Sequence, residues 1–388
     1  MAAARLSKIT NPNIKDALRL RSVISGKPLI GPKSVNIHIN NSCNHRCEFC
    51  WNFSPYVRKQ PKRKVIDYKV LEDVLEDCRE MGVDEINFEG GEVTLYPFWI
   101  DLFRKVKDLG MRLIAYSHLD CDTRCLRGLC YADQLTVNLS AITEESFKRV
   151  HGKKASLSLV LKNLDRLLAI RDKRGKPEIV LSFVVYSQNY RELAGFLDIA
   201  HKRKVNRVVV RFFKATREMR PLVFSKDALA SLNKTVEKAL QTHHVFKHNL
   251  QHLRHILSHG KLFNNVVSMA HSAWHNDRLL FYDVTGGRIN CHAGWFDANI
   301  DEQGRVVAPC DNVGVCVAGN IYERRFKDIW FDNDLLHKTL KDASRGIHTR
   351  SAKWKECRNC GFIAFNKMLE EKISFVKEDQ SFFLDSGS

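Results

Sequence analysis

Residues 34–50 read SVNIHINNSCNHRCEFC. The first seven, Ser34–Asn40, alternate apolar and polar side chains, the two-residue period of a β-strand. The loop after them places Cys43, Cys47 and Cys50 at the spacing C-x3-C-x2-C. Three thiolates in so short a loop can hold three irons of a cubane and leave the fourth iron open to a substrate. Structural zinc as a rule takes four ligands, whereas iron–sulfur clusters favour cysteine-only sites. Zinc is the alternative reading of the loop.

Strand and helix patterns alternate outward from this point. Helical spacing runs through residues 67–81, with Val70, Leu71, Val74, Leu75 and Cys78 on one face and Gly82 just beyond. It recurs at 97–109, 157–171, 190–202 and 228–241. Strand patterns lie at 84–89, 111–116, 134–139, 178–186 and 205–213. Six strands with helical crossovers imply parallel, right-handed βαβ units. They are too few for a closed eight-stranded barrel, so a doubly wound sheet and an open partial barrel both fit.

The second strand ends in Asn87-Phe88-Glu89-Gly90-Gly91-Glu92. With the cysteine loop after the first strand, and Phe49 before its last cysteine, this resembles the radical S-adenosylmethionine (SAM) superfamily and its GGE motif. The resemblance implies an enzyme with a 4Fe–4S cluster on Cys43, Cys47 and Cys50. Its open iron chelates SAM, and reductive cleavage yields a 5′-deoxyadenosyl radical that abstracts a substrate hydrogen. It also implies an electron donor such as flavodoxin or ferredoxin. Gly90 and Gly91 then let the backbone approach the methionine moiety, and Glu92 accepts a hydrogen bond from its amino group. Asn138-Leu139-Ser140 is similar to the family's fourth-strand segment, so Ser140 is expected on the SAM carboxylate or ribose, and Ser182 on the ribose. Where many members carry an Arg before a Gly to complete the SAM carboxylate contact, this chain has His151 before Gly152, and His151 is the residue expected at that contact. Val93 replaces the usual Pro after the GGE.

A second group follows: Cys291, Gly304 to Cys310, Gly319-Asn320-Ile321, Ile329-Trp330, and Cys357-x2-Cys360. In order, these resemble the auxiliary-cluster region called SPASM or, when shortened, twitch. Seven cysteines and two clusters make a full region; five are present here, Cys316 included. The resemblance therefore implies a second, auxiliary 4Fe–4S cluster on Cys291, Cys310, Cys357 and Cys360, with Cys316 as alternate ligand. Read without the family, a hairpin paired with a CxxC also suits a zinc ribbon. The expected fold is α/β, a partial (β/α)6 barrel with a C-terminal SPASM/twitch-like auxiliary Fe–S domain. The expected divisions are a basic extension (1–33), the core (34–220), a helical His-rich linker (221–285), the auxiliary domain (286–362) and a tail (363–388).

Cys78 reads as core, and Cys121, Cys125 and Cys130 as loop or core thiols rather than a third metal site. The 388 residues carry 62 Lys+Arg against 44 Asp+Glu, a net charge of +18, with 44% hydrophobic residues. That hydrophobic content excludes global disorder. No apolar run reaches the roughly 18 residues of a membrane span, and residues 1–34 show no signal-peptide pattern. A soluble, cytoplasmic protein without a membrane partner is the expectation. Positive charge gathers in residues 1–33, in Trp51 to Val65 among Trp51, Phe53 and Tyr56, and in Lys202 to Arg220, all read as parts of a substrate-facing surface. Aromatics beside cations are a nucleic-acid signature, and Arg211 or Lys214 is placed to hold an anionic group at the barrel mouth. His244, His248, His252, His255 and His259 recur at helical spacing and read as a solvated or phosphate-facing surface. An anionic substrate is expected: DNA, RNA or a nucleotide, modified by radical chemistry. A peptide-modifying radical enzyme and a zinc-stabilised, non-enzymatic nucleic-acid-binding protein are the alternatives.

Overall fold

The computed structural model describes residues 6–58, 60–212, 217–246, 250, 251, 254, 288–310, 316–348, 357 and 365–375. The strand patterns become β1 (Ser34–Asn40), β2 (Glu85–Gly90), β3 (Arg112–Ser117), β4 (Gln134–Asn138), β5 (Glu178–Val185) and β6 (Arg207–Phe212). They pair in that order and all in parallel. A doubly wound sheet needs a reversal of strand order. Consecutive right-handed crossovers without reversal keep the helices on one face, so the sheet is the curled, open barrel. Its β5 is apolar along most of its length and buried on both faces, as a covered parallel strand should be.

Helix α1 (Pro12–Ser25) precedes the sheet. The crossovers are α2 (Tyr68–Glu80), α3 (Trp99–Asp108), α4 (Thr123–Leu129), the pair α5 (Glu144–His151) and α6 (Leu157–Arg174), and α7 (Leu193–Lys202); α8 (Lys226–Thr242) follows β6. The face read for α2 is the one it buries, through Leu71, Val74, Leu75 and Cys78. Helix α5 starts with a capping box between Thr143 and Ser146 and carries Glu144 and Glu145 in its first turn, where the helix dipole favours acids.

The C-terminal region contributes β7 (Arg288–Ile289), β8 (Asp297–Ile300), β9 (Arg305–Ala308), β10 (Cys316–Asn320) and β11 (Ile347–His348), with α9 (Phe326–Phe331) and α10 (Asp334–Arg345). Strand β8 adds in parallel to the free side of β1, and β9 and β10 continue antiparallel. One nine-stranded sheet, ordered β10-β9-β8-β1-β2-β3-β4-β5-β6, therefore runs through both regions. Helix α9 seals the junction against α2. Arg325 holds buried Asp77 with two hydrogen bonds of 2.7 and 3.0 Å, and the Trp330 indole N–H donates to the Ile30 carbonyl at 3.0 Å.

The basic N-terminal extension is built into this scaffold. Arg19 is 1% exposed. Its guanidinium reaches Asp84 at 2.7 Å and Asp16 at 2.9 Å, and donates to the carbonyls of Gly31, Pro32 and Gly82. Lys15 takes the other Asp84 oxygen at 2.7 Å. Asp84 lies just before β2, at the end of the sheet opposite the cysteine loop. The extension thus spends these two cations on the barrel floor, a correction to their reading as part of a substrate-facing surface. Removing the guanidinium strips its donors from the carbonyls of Gly31, Pro32 and Gly82, at about 1–3 kcal/mol for each group left unsatisfied. Arg19→Ala should lower the denaturant midpoint accordingly and leave SAM affinity unchanged. Weakened substrate binding at unchanged stability would return Arg19 to the substrate surface.

Candidate functional site

The loops after the strands converge on a cavity of about 320 Å³. Cys43, Cys47, Phe49 and Cys50 line one wall, Gly90, Gly91 and Glu92 the next, then His118, Asn138 and Ser182, and Arg211 from β6. Strand order explains the convergence, because each strand of a parallel sheet sends its following loop to the same end.

Backbone hydrogen bonds hold the cysteine loop. Gly91 N–H donates to the Asn40 carbonyl at 2.9 Å and Glu92 N–H to the Ser42 carbonyl at 2.8 Å. On the other side Arg46 N–H donates to the His151 carbonyl at 2.8 Å, and Glu48 N–H to that of Val150 at 2.9 Å. The His45 amide lies 3.4 Å from Cys43 Sγ, the Phe53 amide 3.4 Å from Cys50 Sγ, and His151 Nδ1 3.2 Å from Cys47 Sγ. Each sulfur thus faces an N–H donor, the environment a thiolate ligand needs. Burial pushes all three thiols up, Cys43 to about 12. Protonated thiols at neutral pH must lose those protons on metallation. The donor set, sulfur-only in one loop with space beyond it, fits a three-cysteine cluster open towards the cavity.

Glu92 is 2% exposed. One of its oxygens accepts from Thr94 N–H and Oγ1, the other from His118 N–H at 3.1 Å. Burial still raises its carboxyl above the ordinary value. Phe49 sets its ring edgewise to His151 and Tyr186, each at 6.0 Å. Ser182 lines the cavity; Ser140 does not. The Ser140 hydroxyl is buried, donating to Asn138 Oδ1 and accepting from Val184 N–H, each at 2.9 Å. Asn138 is the residue this segment offers to the cavity. His151 also lines it, with Nε2 accepting the Ser140 N–H at 3.3 Å.

Sequence reasoning missed His45 and His118. His45 Nε2 bonds Asp120 Oδ2 at 2.8 Å, and the two imidazoles stack at 3.5 Å. Spacing gives no sign of this, because His118 and Asp120 come from the end of β3. Cys121 and Cys125 hydrogen-bond each other. Cys130 turns back to the Leu126 carbonyl at 3.0 Å, so the three do not converge. In the basic segment, Phe53 is buried under the Arg46 guanidinium, whereas Trp51 is exposed at the cavity mouth.

In the C-terminal region Cys291 and Cys357 are buried in one small cluster with Ala293, Ala343 and Ile347. Burial raises the Cys291 thiol, opposed by amides of Ala293 and Gly294 and the Asn366 side chain. Cys310 follows β9, and Cys316 pairs across the hairpin with Ala308 inside the main core. Two cysteines buried in one cluster, with amides aimed at the Cys291 sulfur, fit an auxiliary cluster. Cys360, Lys214, His248, His252, His255 and His259 lie outside the described residues, as does the side chain of His244.

Comparison with known families completes the site. Residues 37–200 match the radical SAM superfamily model, and residues 291–361 match the SPASM model, an iron–sulfur cluster-binding domain. The chain carries a radical SAM domain followed by a SPASM domain. A SAM-binding 4Fe–4S cluster and a SPASM auxiliary cluster are the cofactors that go with these two regions. An "S-adenosylmethionine-dependent nucleotide dehydratase" from a Thermoplasmatales archaeon (strain ISO4-H5) is 31% identical over 183 residues, 46% of this chain and 53% of that protein. A "probable GTP 3′,8-cyclase" of Saccharolobus islandicus is 24% identical over 47% of this chain and 56% of that protein. The chain spans about half the length of these curated relatives. The crystal structure of Streptococcus suis SuiB bound to the precursor peptide SuiA superposes with a TM-score of 0.59 at 16% identity, covering 92% of this chain and 76% of that one. At that identity it shows the shared fold. No helix among the described residues is long and apolar enough to cross a membrane.

Proposed function

We propose that this radical SAM protein is an enzyme that abstracts a hydrogen from a nucleotide or nucleic-acid base. The observation that carries this reading is Arg211, an exposed cation that lines the same cavity as the cysteine loop and is hydrogen-bonded to the Tyr116 phenol. A guanidinium lining a cavity suits a phosphate, which it can bind through two parallel hydrogen bonds. The two curated relatives, named for nucleotide and GTP chemistry, support the same substrate class.

Once bound, the SAM-binding cluster supplies one-electron cleavage of SAM. Cys43, Cys47 and Cys50 hold it. Gly90 and Gly91 let the chain pass close to the methionine moiety, and Glu92 accepts its amino group. Asn138 and Ser182 offer hydrogen bonds to the ribose side, and Phe49 packs beside the adenine. Trp51 closes the mouth against water. Cys291, Cys310, Cys357 and Cys360 hold the auxiliary cluster, with a reduced flavodoxin or ferredoxin as electron source. The described cysteines form no disulfide, which suits a reducing, cytoplasmic compartment.

The test is anaerobic reconstitution followed by turnover with SAM, reductant and nucleoside triphosphates or short oligonucleotides deuterated in both ribose and base. Deuterium in 5′-deoxyadenosine is the expected result. Transfer only from an acidic peptide would overturn the nucleotide reading and favour a peptide-modifying enzyme. Arg211→Gln should raise KM for the phosphorylated substrate about tenfold, the loss of one charge-assisted hydrogen bond. Its substrate-free cleavage of SAM should not change.

A further inference from the structure

Three histidines surround the cysteine loop, and their hydrogen-bond partners separate their roles. His45 points Nε2 at Asp120 Oδ2, 2.8 Å away. His118 Nδ1 accepts the Asp120 N–H at 3.2 Å, which leaves the ring proton on Nε2. That proton faces Glu92 Oε2 at 3.1 Å, while Cys43 Sγ stands at 3.8 Å. The carboxylate therefore takes it. His151 differs. Its Nε2 accepts the Ser140 backbone N–H at 3.3 Å, and an amide can only donate. The ring proton of His151 accordingly sits on Nδ1, which faces Cys47 Sγ at 3.2 Å.

The donor is held firmly. His151 is fully buried, with the Phe147 ring centroid at 4.3 Å. Because Nε2 accepts the Ser140 amide, the ring carries a single N–H. The carbonyls of Val150 and His151 accept the amides of Glu48 and Arg46, the two neighbours of Cys47. A Cβ at Gly152 would meet the Arg46 nitrogen at 3.2 Å, so the chain lies tightly against the loop there. The end of α5 thus fixes donor and acceptor as one unit.

We propose that His151 is a positioning residue that acts through Cys47. Its Nδ1–H···Sγ hydrogen bond raises the reduction potential of the SAM-binding cluster. A reduced cluster carries one more electron, shared onto its thiolate sulfurs. An N–H aimed at such a sulfur stabilises the reduced form more than the oxidised one. The bond also explains why a short, neutral imidazole stands here. A ring that gives its only N–H to Cys47 and its only lone pair to Ser140 has nothing left for a SAM carboxylate.

The inference requires the SAM-binding cluster but no particular substrate, so it can fail without the nucleotide reading and the reverse. The experiment is an EPR-monitored redox titration of the anaerobically reconstituted chain. Its signal is assigned by the change on adding SAM, which leaves the auxiliary cluster's signal in place. His151→Leu should shift the midpoint to more negative potential, and His151→Gln, which keeps an N–H donor, should recover part of the shift. In wild-type protein whose histidines carry 15N only at ring Nδ1, which leaves the His45 backbone amide silent, pulsed EPR should show a weak coupling from one imidazole nitrogen to the reduced cluster. An unchanged midpoint in His151→Leu overturns the proposal. Should that variant fail to fold, the wild-type spectrum decides. No histidine coupling, or one strong enough for a direct iron ligand, overturns it equally.

Discussion

Cys50→Ala should remove the iron and sulfide of one 4Fe–4S cluster and reduce 5′-deoxyadenosine formation to background. Three sulfurs hold the SAM-binding cluster, and two cannot keep it closed. The fold should survive, because the loop does not rely on the metal for its course. Gly91 and Glu92 bond it from one side and the end of α5 from the other, all through backbone atoms. Cys50 is half-buried and its sulfur meets the Phe53 amide at 3.4 Å, so the variant should lose only about 1 kcal/mol of apo-protein stability. Iron and sulfide analysis beside denaturant unfolding separates the two effects. Full iron content with residual SAM cleavage would take Cys50 out of the ligand set. Zinc without sulfide in the wild-type protein would leave only the nucleic-acid-binding alternative.

The parts of this fold that the sequence revealed are those driven by local apolar patterning. Strand β5 and helix α2 could be read to within a few residues, because their buried positions are mostly Ile, Val, Leu and Phe, in a nearly continuous run in β5 and at helical spacing in α2. Helix α1 could not. Its buried residues are Lys15, Arg19 and Ser22, and burial there pays only through Asp84, some 65 positions along the chain. Helices α4 and α5 have seven and eight residues, too few for a periodic signal, although the Thr143–Ser146 cap was there to find. The merging of both regions into one sheet rests on β8, whose four residues carry no mark of their partner.

The site divides in the same way. Cysteines and glycines announced themselves by spacing, since one loop supplies each set. The histidines did not, since His45 follows β1, His118 follows β3 and His151 ends α5, and they meet only when β1 to β4 form one sheet. The fourth-strand segment is a register matter. Asn138 and Ser140 both belong to it, and only the structure shows that Ser140 turns inward to Val184 while Asn138 faces the cavity.

Gly91→Ala should cost both stability and SAM binding. A Cβ there would stand 2.1 Å from the Ser42 carbonyl oxygen, 2.5 Å from its carbon and 2.9 Å from the Asn41 carbonyl carbon. All three are backbone atoms of the cysteine loop, so no side chain can swing aside. The Glu92 segment and the loop must separate, which breaks Gly91 N–H to Asn40 and Glu92 N–H to Ser42. Overpacking of this kind costs about 1–3 kcal/mol, and each lost hydrogen bond about 1 kcal/mol more. A total near 4 kcal/mol is expected in denaturant unfolding. SAM affinity of the reconstituted protein should fall at least about tenfold, because Glu92 leaves its place beside the cluster, a loss of about 1.4 kcal/mol. Gly110→Ala is the control. Nothing lies within 4 Å of a Cβ there, and only its φ of +74° is strained, so a cost of about 1 kcal/mol with unaltered SAM binding is expected. If Gly91→Ala matches Gly110→Ala in both measurements, the close approach of the GGE segment to the cysteine loop is not what positions SAM.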